Sequence, residues 1–257
     1  MATSLINGLI ASGHDPAAIR ASDPDPEQLR KIAELGVATA PDNNAQARGA
    51  DLVILAVKPQ VMANVAAGLT DLRPDQLLVS IAAGVPMSSL AGWTRAAQPI
   101  VRCMPNTPAL LGAGVTALCA NARVSPAQKE LAQSVLATAG RTLWVSPEDQ
   151  LDAVTAVSGS GPAYFFYLME AMIEAGRSLG LSAETAATLT LETARGAALM
   201  ALEGPSPAQL RANVTSPGGT TQAALEVLEA ADCQGIINAA VAAAAERSRE
   251  LATEFGR

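Results

Sequence analysis

Residues 51–59 read Asp-Leu-Val-Ile-Leu-Ala-Val-Lys-Pro, an apolar run that stops at a lysine and a proline. Three shorter runs of similar character lie at residues 19–23, 77–81 and 99–103, and helical stretches separate them. Strands that are apolar along their whole length are typical of a parallel sheet whose two faces are covered by helices. The first half of the chain therefore predicts a doubly wound α/β domain.

The second half of the chain has a different pattern. After residue 150 the strand signal stops, and helical patterns follow one another at residues 162–179, 182–202, up to Val214, 220–231 and 236–253. The sequence therefore predicts a dinucleotide-binding α/β domain over residues 1–148. An all-helical domain over residues 149–257 follows it.

Composition argues against several classes of function. The formal net charge is −7 and the 17 basic residues form no dense cluster, so we expect no nucleic-acid partner. No apolar run has the length of a membrane span, which favours a cytoplasmic protein without a membrane partner. The single histidine, His14, makes a Ser-His-Asp hydrolase or a histidine-ligated zinc enzyme a poor fit. The three cysteines are widely spaced and typical of buried apolar residues, so we predict no metal site.

The beginning of the chain differs from that of a usual dinucleotide-binding fold. Such a fold opens with a strand, a glycine-rich turn and a helix, whereas residues 1–10 already have the pattern of an amphipathic helix. We therefore expect that the first strand and the Gly-rich loop are missing and that Met1 follows the turn. The alternative is a fold that simply starts with a helix. The run at residues 19–23 ends in Asp23, where such folds bind the ribose hydroxyls.

The most informative segment covers residues 207–229. Within it, residues 213–221 read Asn-Val-Thr-Ser-Pro-Gly-Gly-Thr-Thr, and an amphipathic helical pattern follows. A Pro-Gly-Gly turn here delivers two threonines to the first turn of a helix, where free amides and the helix dipole favour a carboxylate. The alternative for this segment alone is an ordinary capped helix start.

Together with four other motifs, this segment resembles the pyrroline-5-carboxylate reductase family. The others are Ser-Gly-Ser-Gly-Pro-Ala-Tyr at 158–164, Ala-Val-Lys-Pro at 56–59, Ser-Ile-Ala-Ala-Gly at 80–84 and Met-Pro-Asn-Thr-Pro at 104–108. The resemblance covers essentially the whole chain in order. It implies a Rossmann-like domain followed by a helical dimerisation domain, and reduction of the C=N bond of 1-pyrroline-5-carboxylate to L-proline with NADPH or NADH. It also implies a homodimer through the helical domain, with a larger ring of dimers as a further arrangement.

The resemblance also assigns residues to the site. It implies that Thr221 contacts the ring nitrogen as the catalytic residue, and that the substrate is bound by Asn213, Gly218, Gly219, Thr220 and Thr221. It places the cofactor against Ser22, Asp23, Asn43, Ala56, Val57, Lys58, Pro59, Ala83, Met104, Pro105 and Asn106. Because a carboxylate accepts hydrogen bonds from ribose hydroxyls but repels a 2′-phosphate, Asp23 predicts appreciable use of NADH.

Two other functions compete with this interpretation. A related dehydrogenase acting on a 3-hydroxy acid would need a catalytic lysine in the second domain, but no lysine follows Lys129. A non-catalytic, oligomerising homologue without its phosphate-binding loop would be expected to have lost the substrate motif, which is intact here. The small residues at 158–161 lack the spacing of a nucleophile elbow and favour close packing at a helical interface.

Overall fold

The computed structural model describes residues 1–95 and 97–256. Strands and helices alternate through its first part: α1 Ala2–Ala11, β1 Arg20–Ser22, α2 Pro26–Ala33, β2 Ala38–Ala40, α3 Asn43–Ala47, β3 Leu52–Leu55, α4 Pro59–Gly68, β4 Leu77–Ser80, α5 Met87–Trp93, β5 Ile100–Met104, β6 Gly114–Ala120, α6 Pro126–Ala137 and β7 Gly140–Trp144. The four strands predicted from the apolar runs are confirmed as β1, β3, β4 and β5.

Local sequence explains where several of these helices begin. α2, α4 and α6 each have proline in the first turn, where its missing N–H leaves no helical hydrogen bond unmade. Asp25 caps α2 by accepting from the Glu27 amide, and Ser125 forms a reciprocal capping box with Gln128 at the start of α6.

The strands form two sheets, a parallel pair β1-β2 and a five-stranded sheet of order β3-β4-β5-β6-β7. The predicted parallel arrangement is confirmed for β3, β4 and β5. Among the described residues of this sheet the β5–β6 pair is antiparallel, so β6 and its parallel neighbour β7 run in the opposite direction. The physical reason is the short connection at residues 105–113, which holds only a 3₁₀ turn at Thr107–Leu111. A parallel return needs a crossover of about a dozen residues or more.

No backbone hydrogen bond joins the β1-β2 pair to the larger sheet within the described residues. In a doubly wound sheet the first strand lies between the two strands that correspond to β1 and β3 here. The loss of that strand and of the Gly-rich loop stays a prediction.

The core lies on both faces of the five-stranded sheet, as predicted. Leu77 and Val79 of β4 belong to one apolar cluster with α1 and α6, whereas Leu78 belongs to a second with α4 and α5. All three are fully buried, and burying an aliphatic side chain of this size stabilises a fold by roughly 1.5–3 kcal/mol. Burial on both faces is why β4 has three successive apolar residues, Leu77, Leu78 and Val79.

The second part of the chain is helical, as predicted. It contains α7 Gln150–Val154, a π-helical turn Thr155–Gly159, α8 Gly161–Ser178, α9 Ala183–Glu203, α10 Pro207–Asn213, α11 Thr220–Ala230 and α12 Cys233–Phe255. By packing, one compact unit comprises Met1–Ser160 with the residues from Ala243 onward, and a second comprises Gly161–Ala242. The division into domains at residues 148 and 149 stays a prediction.

No single described helix combines the length and apolarity of a membrane span. α11 and α12, bent by 54° at their junction, meet the length and composition criteria only as a pair.

Candidate active site

The carboxyl ends of β3, β4 and β5 lie at one edge of the sheet, because these three strands are parallel neighbours. The structure therefore brings to this edge the cofactor residues predicted from three separate motifs, Ala56, Val57, Lys58, Pro59, Ala83, Met104, Pro105 and Asn106. Lys58 is the residue that precedes α4, and its side chain makes no capping hydrogen bond. Its ammonium group is exposed at a strand end, where ligands bind in open α/β sheets.

Asn106 joins the loop after β5 to two other elements. Its Oδ1 accepts a hydrogen bond from the Val115 amide at 3.0 Å, and its Nδ2 donates to Ser158 Oγ at 3.3 Å. Beside it, a Cβ on Gly159 would collide with the side chain of Met104. Two motifs distant in the sequence thus meet. Gly159 packs closely against Met104 at the end of β5, whereas the close packing predicted for residues 158–161 was at a helical interface.

Ser22 and Asn43 also lie together. Ser22 Oγ donates to Asn43 Oδ1 at 2.7 Å, which connects the end of β1 to the start of α3. Asp23 Oδ1 accepts from the Asp25 amide at 2.8 Å, and Asp42 accepts from two amides in the first turn of α3. No lysine or arginine occurs at residues 21–29 or 39–47. Arg48, the residue that follows α3, interacts electrostatically with Asp42.

A buried ion pair below this edge escaped the sequence reasoning. Arg102 of β5 has a side chain that is 7% exposed, and its Nη1 donates to Glu148 Oε1 at 2.9 Å. The same oxygen accepts from the Met87 amide at 2.9 Å, at the first residue of α5. Glu148 therefore holds the loop between β4 and α5 against β5. A lone arginine inside an apolar strand was the available signal, but its partner is 46 residues away.

The predicted substrate residues gather at the start of α11, in the second compact unit. Gly218 has φ of +70°, which favours glycine, and its amide donates to Gln222 Oε1 at 2.7 Å. Gly219 is the residue that precedes the helix, and Thr220 and Thr221 are its first two residues. Among the described residues neither threonine hydroxyl has a hydrogen-bond partner. The first amides of a helix also lack partners within it, so this end combines free amides with free hydroxyls.

Asn213, the other predicted substrate residue, is the last residue of α10. Its Oδ1 accepts from Gln209 Nε2 at 2.8 Å, and its side chain is exposed. An ion pair of 3.8 Å between Arg211 and Glu229 spans α10 and α11.

The cysteines take no part in these groups. Burial raises the pKa of the Cys103 and Cys119 thiols, so both stay protonated. In the part of the chain that the structure describes, no three His, Cys, Asp or Glu side chains are placed to hold a metal ion.

Two family models match the chain. Residues 148–251 match the family model described as "Pyrroline-5-carboxylate reductase dimerisation". Residues 1–84 match the family model described as "NADP oxidoreductase coenzyme F420-dependent".

Individual relatives match over almost the full length. The pyrroline-5-carboxylate reductase of Pseudomonas aeruginosa is 54% identical, covering 100% of this chain and 95% of the relative. The solved pyrroline-5-carboxylate reductase of Coxiella burnetii is 45% identical, with a TM-score of 0.93 over 97% of this chain and 94% of the other. The solved pyrroline carboxylate reductase of Plasmodium falciparum, with NADP bound, is 29% identical, with a TM-score of 0.87 over 97% of this chain and 94% of the other. The chain belongs to the pyrroline-5-carboxylate reductase family.

Proposed function

We propose that this protein reduces the C=N bond of 1-pyrroline-5-carboxylate to give L-proline, with NADPH or NADH as the hydride donor. The observation that carries the proposal is the start of α11, where free amides and the unpartnered hydroxyls of Thr220 and Thr221 follow a Gly-Gly turn. An anionic substrate with a ring nitrogen needs both features, because amides at a helix start bind a carboxylate and a hydroxyl can bind the nitrogen.

The reaction requires the protein mainly to position the substrate relative to the cofactor. A bound nicotinamide would supply a hydride to the imine carbon, and the π electron pair of the C=N bond would become the lone pair of a nitrogen already protonated from solvent. The imine is itself basic, so the absence of a histidine near these residues is no obstacle. Gly218, Gly219 and Thr220 hold the carboxylate and ring in this proposal, Asn213 lies near them, and Thr221 Oγ1 orients the nitrogen.

The strand ends fit a dinucleotide. Ser22, Asp23 and Asn43 supply acceptors and donors for ribose hydroxyls, and exposed Lys58 supplies a positive charge for an anionic group. Val57 and Pro59 flank Lys58, and the small side chains of Ala56 and Ala83 allow a ligand to approach the backbone. In this proposal Met104 and Pro105 line the same edge. Asn106 holds the loop after β5 in place through its hydrogen bonds to Val115 and Ser158.

Steady-state kinetics of Thr221 variants test this function. We expect Thr221→Ala to lower kcat on the order of 100-fold for loss of a donor at the reacting group, whereas Thr221→Ser should recover most of it. Thr193→Ala, an exposed position in the middle of α9, is the matched control. Normal turnover by Thr221→Ala would remove that residue from the mechanism. A folded wild-type protein that binds NAD(P)H without turnover would instead favour the non-catalytic homologue.

We also propose that the protein is a homodimer formed through the helical domain, residues 149–257. The second compact unit exposes large apolar side chains on α8, including Phe165 at 64% and Tyr167 at 76%, and exposed patches of this kind mark interfaces. Light scattering after size exclusion should give a dimer that Phe165→Glu dissociates, whereas Leu35→Glu on the first unit does not. A larger mass would indicate a ring of dimers, and a monomeric wild type would contradict the proposal. We place the enzyme in the cytoplasm, where reduced cysteines are the norm.

A further inference from the structure

The last two turns of α12 lie directly on the loop that follows β4. Phe255 packs against the apolar cluster that contains Val85 and Leu90. Ser89 Oγ donates to the Gly256 carbonyl at 2.6 Å. The end of α12 therefore belongs to the same compact unit as the sheet, although it is separated from this loop by most of the chain.

Gly84 is the closest point of this contact. Its φ is +70°, and a Cβ there would lie 2.9 Å from Leu251 Cβ and 3.3 Å from the Leu251 carbonyl carbon. Glycine is thus favoured for two reasons: the backbone conformation, and the close approach of Leu251, whose Cβ leaves no room for a side chain at residue 84. An approach this close means that a shift of α12 must shift the loop as well.

Three contacts fix α12 at this place. Buried Ser248 donates to Asp152 Oδ1 at 2.6 Å, Leu251 meets Gly84, and Phe255 enters the apolar cluster. Positions 248, 251 and 255 share one face of a helix because they are three and four residues apart. Glu148 holds the far end of the loop through the Met87 amide. The loop at residues 82–86 is therefore in contact with α12 at Gly84 and is held at its far end by Glu148.

We propose that the end of α12 positions the loop at residues 82–86 for the dinucleotide, with Ser248, Leu251 and Phe255 as positioning residues. The proposal rests on the proposed function, in which Ala83 contacts the cofactor. Since Ala83 is next to Gly84, displacement of α12 should weaken cofactor binding before it affects the substrate. α12 is continuous from Cys233 in the helical unit, so cofactor affinity depends on a helix that begins outside the α/β domain.

The test is the dissociation constant for NADH and NADPH, measured by nicotinamide fluorescence on the full-length protein, together with kcat and both KM values. We expect Ser89→Ala and Phe255→Ala to raise the cofactor Kd and KM by about tenfold, with kcat at saturating cofactor and the KM for pyrroline-5-carboxylate little changed. Phe255→Leu should restore most of the affinity. Gly84→Ala should have the largest effect.

Two control variants separate positioning from general destabilisation. Ser134→Ala removes an exposed serine bond to its own helix, and Gly49→Ala adds a Cβ at φ +77° with nothing within 4 Å. Both should leave the cofactor Kd unchanged. A lower Tm in Ser89→Ala and Phe255→Ala with an unchanged Kd would overturn the proposal, as would an equal rise in both KM values. Because the Kd is measured without turnover, a failure of the proposed reaction would be seen separately.

Discussion

Replacing Glu148 with alanine removes the carboxylate that pairs with Arg102 and accepts from the Met87 amide. The Arg102 side chain is 7% exposed and that of Glu148 is 28% exposed, so the variant leaves a nearly buried guanidinium without its partner. Breaking a buried pair from one side costs about 3–5 kcal/mol. Since water can reach the more exposed glutamate position, we expect the lower end, about 3 kcal/mol, or a Tm lower by roughly 6–12 °C.

Urea unfolding at neutral pH, followed by circular dichroism, measures this loss. The matched control is Glu246→Ala, whose pair with Arg249 at 2.6 Å has side chains that are 63% and 58% exposed; we expect it to cost no more than about 0.5 kcal/mol. The double variant Arg102→Met with Glu148→Leu should recover more than half of the loss, because no buried charge remains. A Glu148→Ala protein as stable as the control would refute the reasoning.

Three further predictions concern the cofactor, the thiols and pH. Asp23→Ser should raise the ratio of kcat/KM for NADPH to that for NADH by about tenfold, because it removes a negative charge near the 2′-phosphate. Burial raises the pKa of the Cys103 thiol, so a disulfide reagent at pH 8 should modify partly exposed Cys233 in the native protein and Cys103 only on unfolding. The Arg48 guanidinium lowers the pKa of the Asp71 carboxyl. The pair therefore stabilises the fold fully above about pH 4, and this stabilisation is lost as the pH falls through the lowered pKa of Asp71. Asp71→Asn should therefore reduce the difference in unfolding free energy between neutral and acidic pH.

Each of these predictions has a clear contrary outcome. An unchanged coenzyme ratio in Asp23→Ser would mean that the carboxylate lies away from the ribose. Equal labelling rates for Cys103 and Cys233 in the native protein would show that the sheet opens on the time scale of the reaction. Parallel stability profiles for wild type and Asp71→Asn between pH 7 and about pH 3 would mean that the ion pair does not form in solution.

The sequence predicted β1, β3, β4 and β5, and missed β2, β6 and β7, although β6 is largely buried. β3, β4 and β5 are apolar at successive positions, so their positions and their common edge could be inferred. β7, by contrast, alternates exposed and half-buried residues, and β2 is only three residues long. The direction of β6 depends on the length of its connection, which an apolar pattern does not report.

In the candidate site, too, some features could be predicted from the sequence and others could not. The meeting of the predicted cofactor residues at one edge could be inferred, because parallel strands bring their carboxyl ends together, whereas their contact with a cofactor stays a prediction. The Ser22–Asn43 bond agrees with their joint assignment. Contacts made by single polar atoms across long separations were not predictable, such as that between Arg102 and Glu148. Neither the π-helical turn nor the contact of Asn106 with Ser158 has a signature in the spacing of apolar residues.

The discontinuity of the first compact unit has a consequence for the order in which the protein acquires its structure. All strands of the sheet are synthesised before residues 243–256. The contacts of Gly84 with Leu251 and of Ser89 with Gly256 can form only after those residues have been made. Ser89 and Gly256 are 167 positions apart, and contacts of such long separation form late. The β4–α5 loop of the nascent α/β unit therefore stays uncovered until α12 has been synthesised, and the end of α12 then completes this unit.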